Sequence, residues 1–320
     1  MKFVKTMVYL KVLDGEDKDK IKTALFGGES DLPGDMNYKV GDTVFIGILV
    51  GGDKNSTRYV SIYDFDNSVS IIILVILLIA AIVIIGRLKG IASLISLVVT
   101  ILLLFLILIP LTLKGYPPLP IAVAIAIVSI LMTLPIIAGL KKKTLAAILG
   151  AAGGIVIATL LAISFGWIMH LSGIVTNDML TIYYASDVNI DLRGLVLSGM
   201  IIAALGAIMD VCISIASSTA EIYRANPGLS EKEAFKSVLT IGTDILGSMV
   251  NTLILAYVGS SLALILWISM KIQPGMSFWM VLNYNPVLNE IVKAVIGSLG
   301  MFVSIPLTAI IAVKIHSNKT

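Results

Sequence analysis

Two kinds of hydrophobic pattern divide the chain near residue 68. Before that point, short runs of mixed apolar and polar residues alternate with turn residues such as Asp14-Gly15 and Gly51-Gly52. The runs cover residues 7–13, 20–26, 42–50 and 57–65. Four or five short strands at roughly ten-residue spacing are typical of small all-β units. We therefore expect residues 1–68 to form a small β-barrel-like domain.

Beyond residue 68 the chain consists mostly of long apolar runs. A membrane-spanning helix needs about 20 such residues. Seven stretches qualify: 69–86, 91–113, 119–138, 144–169, 194–218, 238–270 and 286–313. The sixth stretch is either one tilted helix or two pieces broken at Gly259-Ser260, and a count of eight is the alternative. The predicted fold is an all-α polytopic membrane domain, residues 69–320, with seven or eight transmembrane helices after a small β domain.

Composition supports the membrane assignment and excludes several classes of protein. Of the 320 residues, 58% are hydrophobic and 13% charged, whereas soluble domains carry about 25% charged residues. A single cysteine, Cys212, excludes a disulfide scaffold. The only histidines are His170 and His316, and with one cysteine they cannot form a Cys/His metal site by sequence spacing. A net charge of +3 without a basic stripe argues against nucleic acid as a partner.

Motifs of enzyme chemistry are missing from the sequence. It contains no GxSxG, HExxH, Walker loop or CxxC, so we predict neither an enzyme nor a bound cofactor. Asp210 and Asp244 would supply the two aspartates of an intramembrane protease, but the sequence signatures of that protease are absent around them.

A short acidic segment near the N-terminus contains Asp14, Glu16, Asp17 and Asp19. It lacks the glycine and distal glutamate of an EF-hand, and we interpret it as a solvated hairpin turn.

The distribution of basic residues predicts the orientation. Ten lie on one side of the predicted spans: Arg87, Lys89, Lys141, Lys142, Lys143, Arg224, Lys232, Lys236, Lys314 and Lys319. Lys114, Arg193 and Lys271 lie on the other. The positive-inside rule places the larger set and the C-terminus in the cytoplasm and the β domain outside. Export of that domain without a visible signal leads us to expect a missing upstream anchor helix or a shortened chain.

Polar residues inside three spans are the candidate functional residues. The fifth span carries Asp210, the sixth Asp244 and Asn251, and the seventh Glu290 and Lys293. An ionisable group at the bilayer centre costs about 2.5–3.5 kcal/mol on insertion scales, so it points to function. The two aspartates have no cation within four residues on their own helices. Glu290 and Lys293 are gating residues, a structural ion pair or residues at the lipid headgroups, and Asn251 is either functional or packing.

Helical spacing predicts how these residues face one another. One face of the fifth span combines small and polar residues: Gly199, Ala203, Gly206, Asp210, Ser214 and Ser217. Small residues allow helices to approach closely, and buried polar groups need partners across the contact. We therefore expect spans five, six and seven to meet around one polar core, with Ile201, Ile208 and Ile215 pointing elsewhere.

Two long segments, 190–266 (IDLRGLVLSGM…SSLALIL) and 289–311 (NEIVKAVIGSLGMFVSIPLTAII), resemble the YibE/F family of multi-spanning bacterial membrane proteins. The runs VLDGEDKDK and YKVGDTVFI look like that family's external domain. The resemblance implies a location in the bacterial plasma membrane and supplies no settled substrate. Family members often begin with an anchor helix, from which this sequence departs.

A shorter segment is similar to the proton-coupled half of SecDF, MMPL and other RND-type permeases. The matching features are Asp210, Glu221, a short LSEKEAF helix at 229–235, and Asp244 on the polar helix that follows it. The resemblance implies that Asp210 occupies the proton-relay position. RND-type proteins contain two such halves and this chain contains one, so a homodimer would restore the second.

The function predicted from these patterns is secondary transport coupled to protons. Asp210 would load and release the proton, Asp244 with Asn251 would relay it, and Glu290 with Lys293 would gate the path. The expected partners are the lipid bilayer, protons, an unknown solute and a second copy of the chain. The alternative is a membrane accessory or assembly factor whose external domain binds a partner and which transports nothing.

Overall fold

A computed structural model describes residues 6–15, 17–26, 38–49, 59–185, 188–271 and 276–317. The chain divides into two compact units, Met1–Ile84 and Ile85–Thr320. The boundary falls inside a long helix, so the strands and the first part of that helix belong to one unit. The remaining helices form the other.

The N-terminal strands are β1 (Thr6–Lys11), β2 (Ile21–Phe26), β3 (Val44–Leu49) and β4 (Tyr59–Phe65). They form two antiparallel pairs, β1 with β2 and β3 with β4. The pairs are linked where Ala24 lies opposite Val60, which gives the order β1-β2-β4-β3. β2, β3 and β4 fall within the predicted runs, and β1 begins one residue before its run. The predicted barrel is wrong, because β1 and β3 are free edges in the described part of the unit and the sheet does not close.

The acidic segment between β1 and β2 forms a hairpin turn, as the sequence predicts. Lys20 and Lys22 bind the Asp17 carboxylate at 2.7 and 2.8 Å, and these contacts lower its pKa to about 2. The Asp17 carboxylate is thus paired with two lysines of its own hairpin. Glu16 lies outside the described residues.

Ten helices follow in the described residues. They are α1 (Ser68–Leu103), α2 (Ile109–Leu113), α3 (Pro118–Ala138), α4 (Lys142–Ile168), α5 (Asn177–Ala185), α6 (Leu192–Ala225), α7 (Glu231–Ser260), α8 (Leu262–Lys271), α9 (Phe278–Leu282) and α10 (Asn285–Ser317). Six helical segments of the described chain are long and apolar enough to cross a membrane. They are Ser68–Leu113, α3, α4, α6, α7 and α10.

Two of the seven predicted spans, 69–86 and 91–113, lie on the single helical segment Ser68–Leu113. A π-helical turn, Leu104–Leu108, joins α1 to α2 within it. The backbone leaves the helical region at Arg87, where φ is 50° and ψ is −132°. The segment therefore consists of two apolar stretches separated by one non-helical residue.

The sixth predicted span is two helices. A capping box begins α7: the Ser230 hydroxyl accepts from the Glu233 backbone N–H, and the Glu233 carboxylate accepts from the Ser230 N–H. The separate short helix predicted for the LSEKEAF run is therefore wrong, because residues 231–235 of that run are the first turn of α7. α7 ends at Ser260, and α8 begins at Leu262. With 10 residues, α8 is too short to span a bilayer.

The core lies between α4, α6 and α10, which pack most extensively against one another. Gly150 and Gly154 form a GxxxG pattern in α4, and small residues of this kind let helix backbones approach closely. A Cβ on Gly154 would lie 2.8 Å from the Ser304 Cβ, and one on Gly300 would lie 2.8 Å from the Ala158 Cβ. The Thr308 hydroxyl donates to the Ser304 carbonyl at 2.7 Å, so its polarity is satisfied inside the core.

Candidate functional site

The two faces of α6 have the opposite roles from those expected. Ile201, Ile208 and Ile215 are fully buried against the core, at 0% exposure. The face with Gly206 and Asp210 is exposed, and a Cβ on Gly206 would meet nothing within 4 Å. The predicted polar core around this face is therefore wrong in the described structure. Branched side chains fill the grooves of α4 and α10 more completely than glycine and alanine do, and that packing selects the buried face.

Asp210 lies near the middle of α6, 18 residues after Leu192 and 15 before Ala225. Its side chain makes no hydrogen bond or ion pair within the described residues, and its backbone carbonyl accepts from the Ser214 hydroxyl at 2.7 Å. Next along this face, Ser217 accepts a hydrogen bond from the Lys143 ammonium of α4 at 3.3 Å. An ionisable group near mid-helix is therefore accessible on a surface of small residues.

Asp244 and Asn251 lie on an exposed face of α7, with Ser248 between them. The opposite face of α7 packs on α6 and α10 through Val238 and Gly242, both buried. A Cβ on Gly242 would lie 2.7 Å from Ile305 Cγ2. The polar faces of α6 and α7 are thus both turned away from the packed core, although the two helices touch.

Glu290 and Lys293 form an ion pair on α10. The Lys293 Nζ lies 2.9 Å from each carboxylate oxygen, and both side chains are about one-quarter exposed. The ammonium also lies 5.0 Å from the centre of the Tyr257 ring of α7. Of the interpretations left open by the sequence, this geometry matches the ion pair and adds a cation–π contact between helices.

A cavity of about 480 Å³ lies beside this pair, between α7, α8 and α10. Its walls are mainly aliphatic: Val250, Ile254, Val258, Leu264, Ile265, Ile268, Val287, Ile291, Ala294, Val295 and Leu299 line it. Tyr257, Ser261, Glu290, Ser298 and Phe302 complete the lining, and almost all of the surface exposed to the cavity is apolar. The volume lies in the range of about 300–1,000 Å³ that is usual for small-molecule sites.

A protein-family model described as YibE/F-like protein matches residues 74–318. The chain belongs to the YibE/F-like family. No curated protein and no solved structure matches it. The family description names no activity. The similarity of α6 and α7 to RND-type permeases therefore has no support from these comparisons and depends on the residue pattern alone.

The matched region of this YibE/F-family chain contains all five predicted site residues. The structure brings Glu290 and Lys293 together, and it leaves the carboxylates of Asp210 and Asp244 without a side-chain partner in the described part of the chain. Sequence reasoning missed Tyr257. The signal available was a single phenol in the apolar run ILAYVGS, which a search limited to charged and amide groups passes over.

The remaining candidate residues of the YibE/F-family chain lie apart from this cavity. Cys212 is buried beside Thr308, and its sulfur lies 3.2 Å from the Thr308 hydroxyl oxygen. His316 lies beside the Ala312 carbonyl at 2.8 Å and stacks on Tyr223. His170 is exposed just after α4. No group of three or more His, Cys, Asp or Glu that could hold a metal ion occurs among the residues described.

Proposed function

We propose that this YibE/F-family protein is a secondary transporter that couples movement of a solute to protons. The observation that carries the proposal is the Asp210 carboxylate, which lies near the middle of a membrane-length helix without a partner among the described residues. A charged carboxylate at that depth is costly, whereas the protonated acid is neutral and can donate a hydrogen bond. Proton uptake therefore changes which helix contacts the Asp210 face favours.

Asp244 and Asn251 of α7 are the proposed next groups on the proton path. They lie on an exposed polar face of the helix that packs beside α6. The sequence order of Asp210, Glu221 and Asp244 supports this assignment, because it is similar to the order in RND-type permeases. Glu290 and Lys293 would gate the path by exchanging their ion pair for contacts with the proton or solute.

The proposed location is the bacterial plasma membrane, with the β strands outside and the C-terminus in the cytoplasm. Ser68–Leu113 is 46 residues long, about 69 Å as a helix, while the bilayer core is about 30 Å thick. A single crossing would also hold Arg87 and Lys89 near the bilayer centre, at about 2.5–3.5 kcal/mol each. We therefore propose that the segment crosses twice and turns at Arg87, which gives seven crossings.

The test is proton-driven uptake into proteoliposomes from a bacterial metabolite extract, with accumulated solutes identified by mass spectrometry. We expect at least one solute to accumulate under an imposed pH gradient and to be lost when a protonophore is added. Asp210→Asn should reduce that uptake to background, because the amide cannot carry a proton. Asp178→Asn, on exposed α5 outside the long helices, is the matched control and should transport normally.

Two results would contradict the proposal. Normal, pH-dependent uptake by Asp210→Asn would remove Asp210 from the mechanism. If the wild-type protein shows no solute uptake that the protonophore abolishes, the proposed transport function itself is wrong. The accessory-factor alternative predicts that second result, together with a partner protein that copurifies with the wild-type chain.

A further inference from the structure

The middle of α7 exposes polar side chains at a depth where a lipid-facing helix exposes apolar ones. α7 is the least apolar of the six membrane-length segments, and a smaller fraction of it is buried than in α3, α4, α6 or α10. Every exposed residue between 243 and 252 is polar or glycine. These residues form the α7 polar face: Thr243, Asp244, Gly247, Ser248, Asn251 and Thr252.

The exposed residues of α4 show what a lipid-facing surface of this protein contains. Between residues 144 and 160 they are Leu145, Leu149, Val156 and Leu160. Acyl chains offer no hydrogen-bond partner, so polar side chains at this depth need one from protein or from water. The contrast between the two helices therefore indicates that a polar surface, and not lipid, covers the α7 polar face.

Three side chains of the α7 polar face have unused hydrogen-bonding capacity. The Thr243 and Thr252 hydroxyls already donate to carbonyls of their own helix, at 2.7 and 3.0 Å. The side chains of Asp244, Ser248 and Asn251 make no hydrogen bond within the described residues. They lie four and then three residues apart, which places them along one line of the helix, as at the seam of a helix pair.

The apolar segment Ser68–Leu113 is a poor match for this line of polar groups. No side chain between residues 71 and 86 carries a hydrogen-bonding group. Between 91 and 113, the hydroxyls of Ser96, Thr100 and Thr112 donate to carbonyls of their own helix. Covering the α7 polar face with this segment would therefore leave its amide and carboxyl groups largely unpaired.

A second copy of the same face supplies the missing partners. The uneven distribution of basic residues gives all copies one orientation, so a twofold axis between two copies lies along the bilayer normal. Residues near that axis meet their own counterparts at the same depth. The Asn251 amide and the Ser248 hydroxyl each donate and accept, so each can pair with its counterpart. Two Asp244 carboxyls can share one proton, which removes their repulsion and adds a hydrogen bond.

We propose that two copies of this chain pair in the membrane through the α7 polar face, with Ser248 and Asn251 each opposite its counterpart. Gly247 lies exposed beside Ser248, and a Cβ there would meet nothing within 4 Å in the single chain, so a partner helix can approach closely. Small residues and hydrogen-bonding side chains are the usual components of helix interfaces in membranes. This inference concerns association alone and does not require proton coupling, so its tests and the transport test can succeed or fail separately.

The first test is disulfide crosslinking of single cysteines in a Cys212→Ala background. The full-length protein in phosphatidylcholine liposomes, at a low ratio of protein to lipid, is oxidised with copper phenanthroline and resolved on a non-reducing gel. Ser248→Cys and Asn251→Cys should form covalent dimers, because a disulfide needs Cα atoms within about 7 Å of each other. Val156→Cys, on the exposed face near the middle of α4, is the matched control and should stay monomeric. Equal crosslinking of Val156→Cys and Ser248→Cys would overturn the proposal.

The second test counts subunits of fluorescently labelled protein by single-molecule photobleaching as the liposomes are diluted with lipid. Wild-type protein should bleach in two steps at ratios where chance capture of two copies is rare. Asn251→Leu should raise the dissociation constant of the dimer about threefold to twentyfold, the range for an interhelical hydrogen bond in a membrane. The monomer should keep its fold, because an exposed leucine is compatible with lipid.

Ser164→Leu is the control for the counting experiment. It replaces an exposed hydroxyl of α4 that donates only to its own helix, and it should leave the dissociation constant unchanged. Single-step bleaching of wild-type protein at every dilution, or an unchanged dissociation constant in Asn251→Leu, would each contradict pairing through the α7 polar face.

Discussion

At the scale of single residues, the four ionisable candidates fall into two kinds. Glu290 and Lys293 neutralise each other and contact Tyr257, so their charges are compensated within the helix pair α7–α10. Asp210 and Asp244 have no such compensation among the described residues. An ion pair can stabilise a membrane helix contact without any transport role. The uncompensated aspartates are therefore the stronger candidates for a proton carrier.

The ion pair predicts a pattern of stabilities in a double-mutant cycle. Lys293→Met leaves the mostly buried Glu290 carboxylate unpaired and should lower the unfolding free energy by about 1–3 kcal/mol. Adding Glu290→Gln should recover part of that loss, because the uncompensated charge is removed. Unfolding in mixed micelles titrated with SDS measures both changes.

Lys314→Met is the control for that cycle. Lys314 is exposed on the same helix, and no ion pair of its side chain is seen within the described residues. The substitution should change stability by about 0.5 kcal/mol or less. Equal losses in Lys293→Met and Lys314→Met would show that the pair contributes nothing to the fold.

At the scale of helices, the glycines of α4 and α6 have different roles. Gly154 of α4 faces α10 at close range, whereas Gly206 of α6 faces open space. Both belong to small-residue patterns of the kind that marks helix contacts. The small-residue pattern marks a close helix contact in α4, but the helix contact it predicts for α6 is absent from the described structure. A small residue permits close approach but does not require it.

Alanine substitutions at these glycines should separate the two roles. In Gly154→Ala the new Cβ would lie 2.8 Å from the Ser304 Cβ and 3.1 Å from Ile208 Cγ2. We expect a loss of about 1–3 kcal/mol from overpacking, measured by SDS unfolding. Gly206→Ala should be neutral or stabilising by up to about 1 kcal/mol, since alanine favours helix and meets no neighbour. A large loss for Gly206→Ala would mean that another surface covers this face in the bilayer.

At the scale of the whole molecule, the number of times Ser68–Leu113 crosses the bilayer decides the topology. One crossing puts the β strands on the same side as the loop before α4, and two crossings put them on opposite sides. The six long helical segments are compatible with either arrangement. The break at Arg87 and the charges beside it favour two crossings on energetic grounds.

Single cysteines in a Cys212→Ala background test this topology with a membrane-impermeant thiol reagent on intact cells. Lys18→Cys lies in the β1–β2 turn, and Lys141→Cys lies between α3 and α4. With two crossings, the first should be labelled and the second protected. Ser317→Cys is the control, because four long helices separate it from Lys141 and it should match Lys141→Cys. Equal labelling of Lys18→Cys and Lys141→Cys would indicate one crossing.

Much of the fold follows from local sequence, because the free energy of moving an apolar run into lipid depends on the run itself. The four strands, the long helices and the hairpin turn around Asp17 all lie where the pattern predicts them. The capping box at Ser230 likewise determines the start of α7 through contacts within four residues. The membrane class and the helical positions of Asp210 and Glu290 were thus readable from the chain alone.

Tertiary structure decided which faces are buried and which side chains meet. Lipid is as apolar as isoleucine, so hydrophobicity alone does not tell whether Ile208 or Gly206 faces a neighbouring helix. The packing of α4 against α6 and α10 makes that choice through shape. The cavity depends in the same way on α8 starting a new helix beside α10. Tyr257, 33 residues from Glu290 in sequence, joins the ion pair because α7 and α10 pack together, a contact that no local pattern encodes.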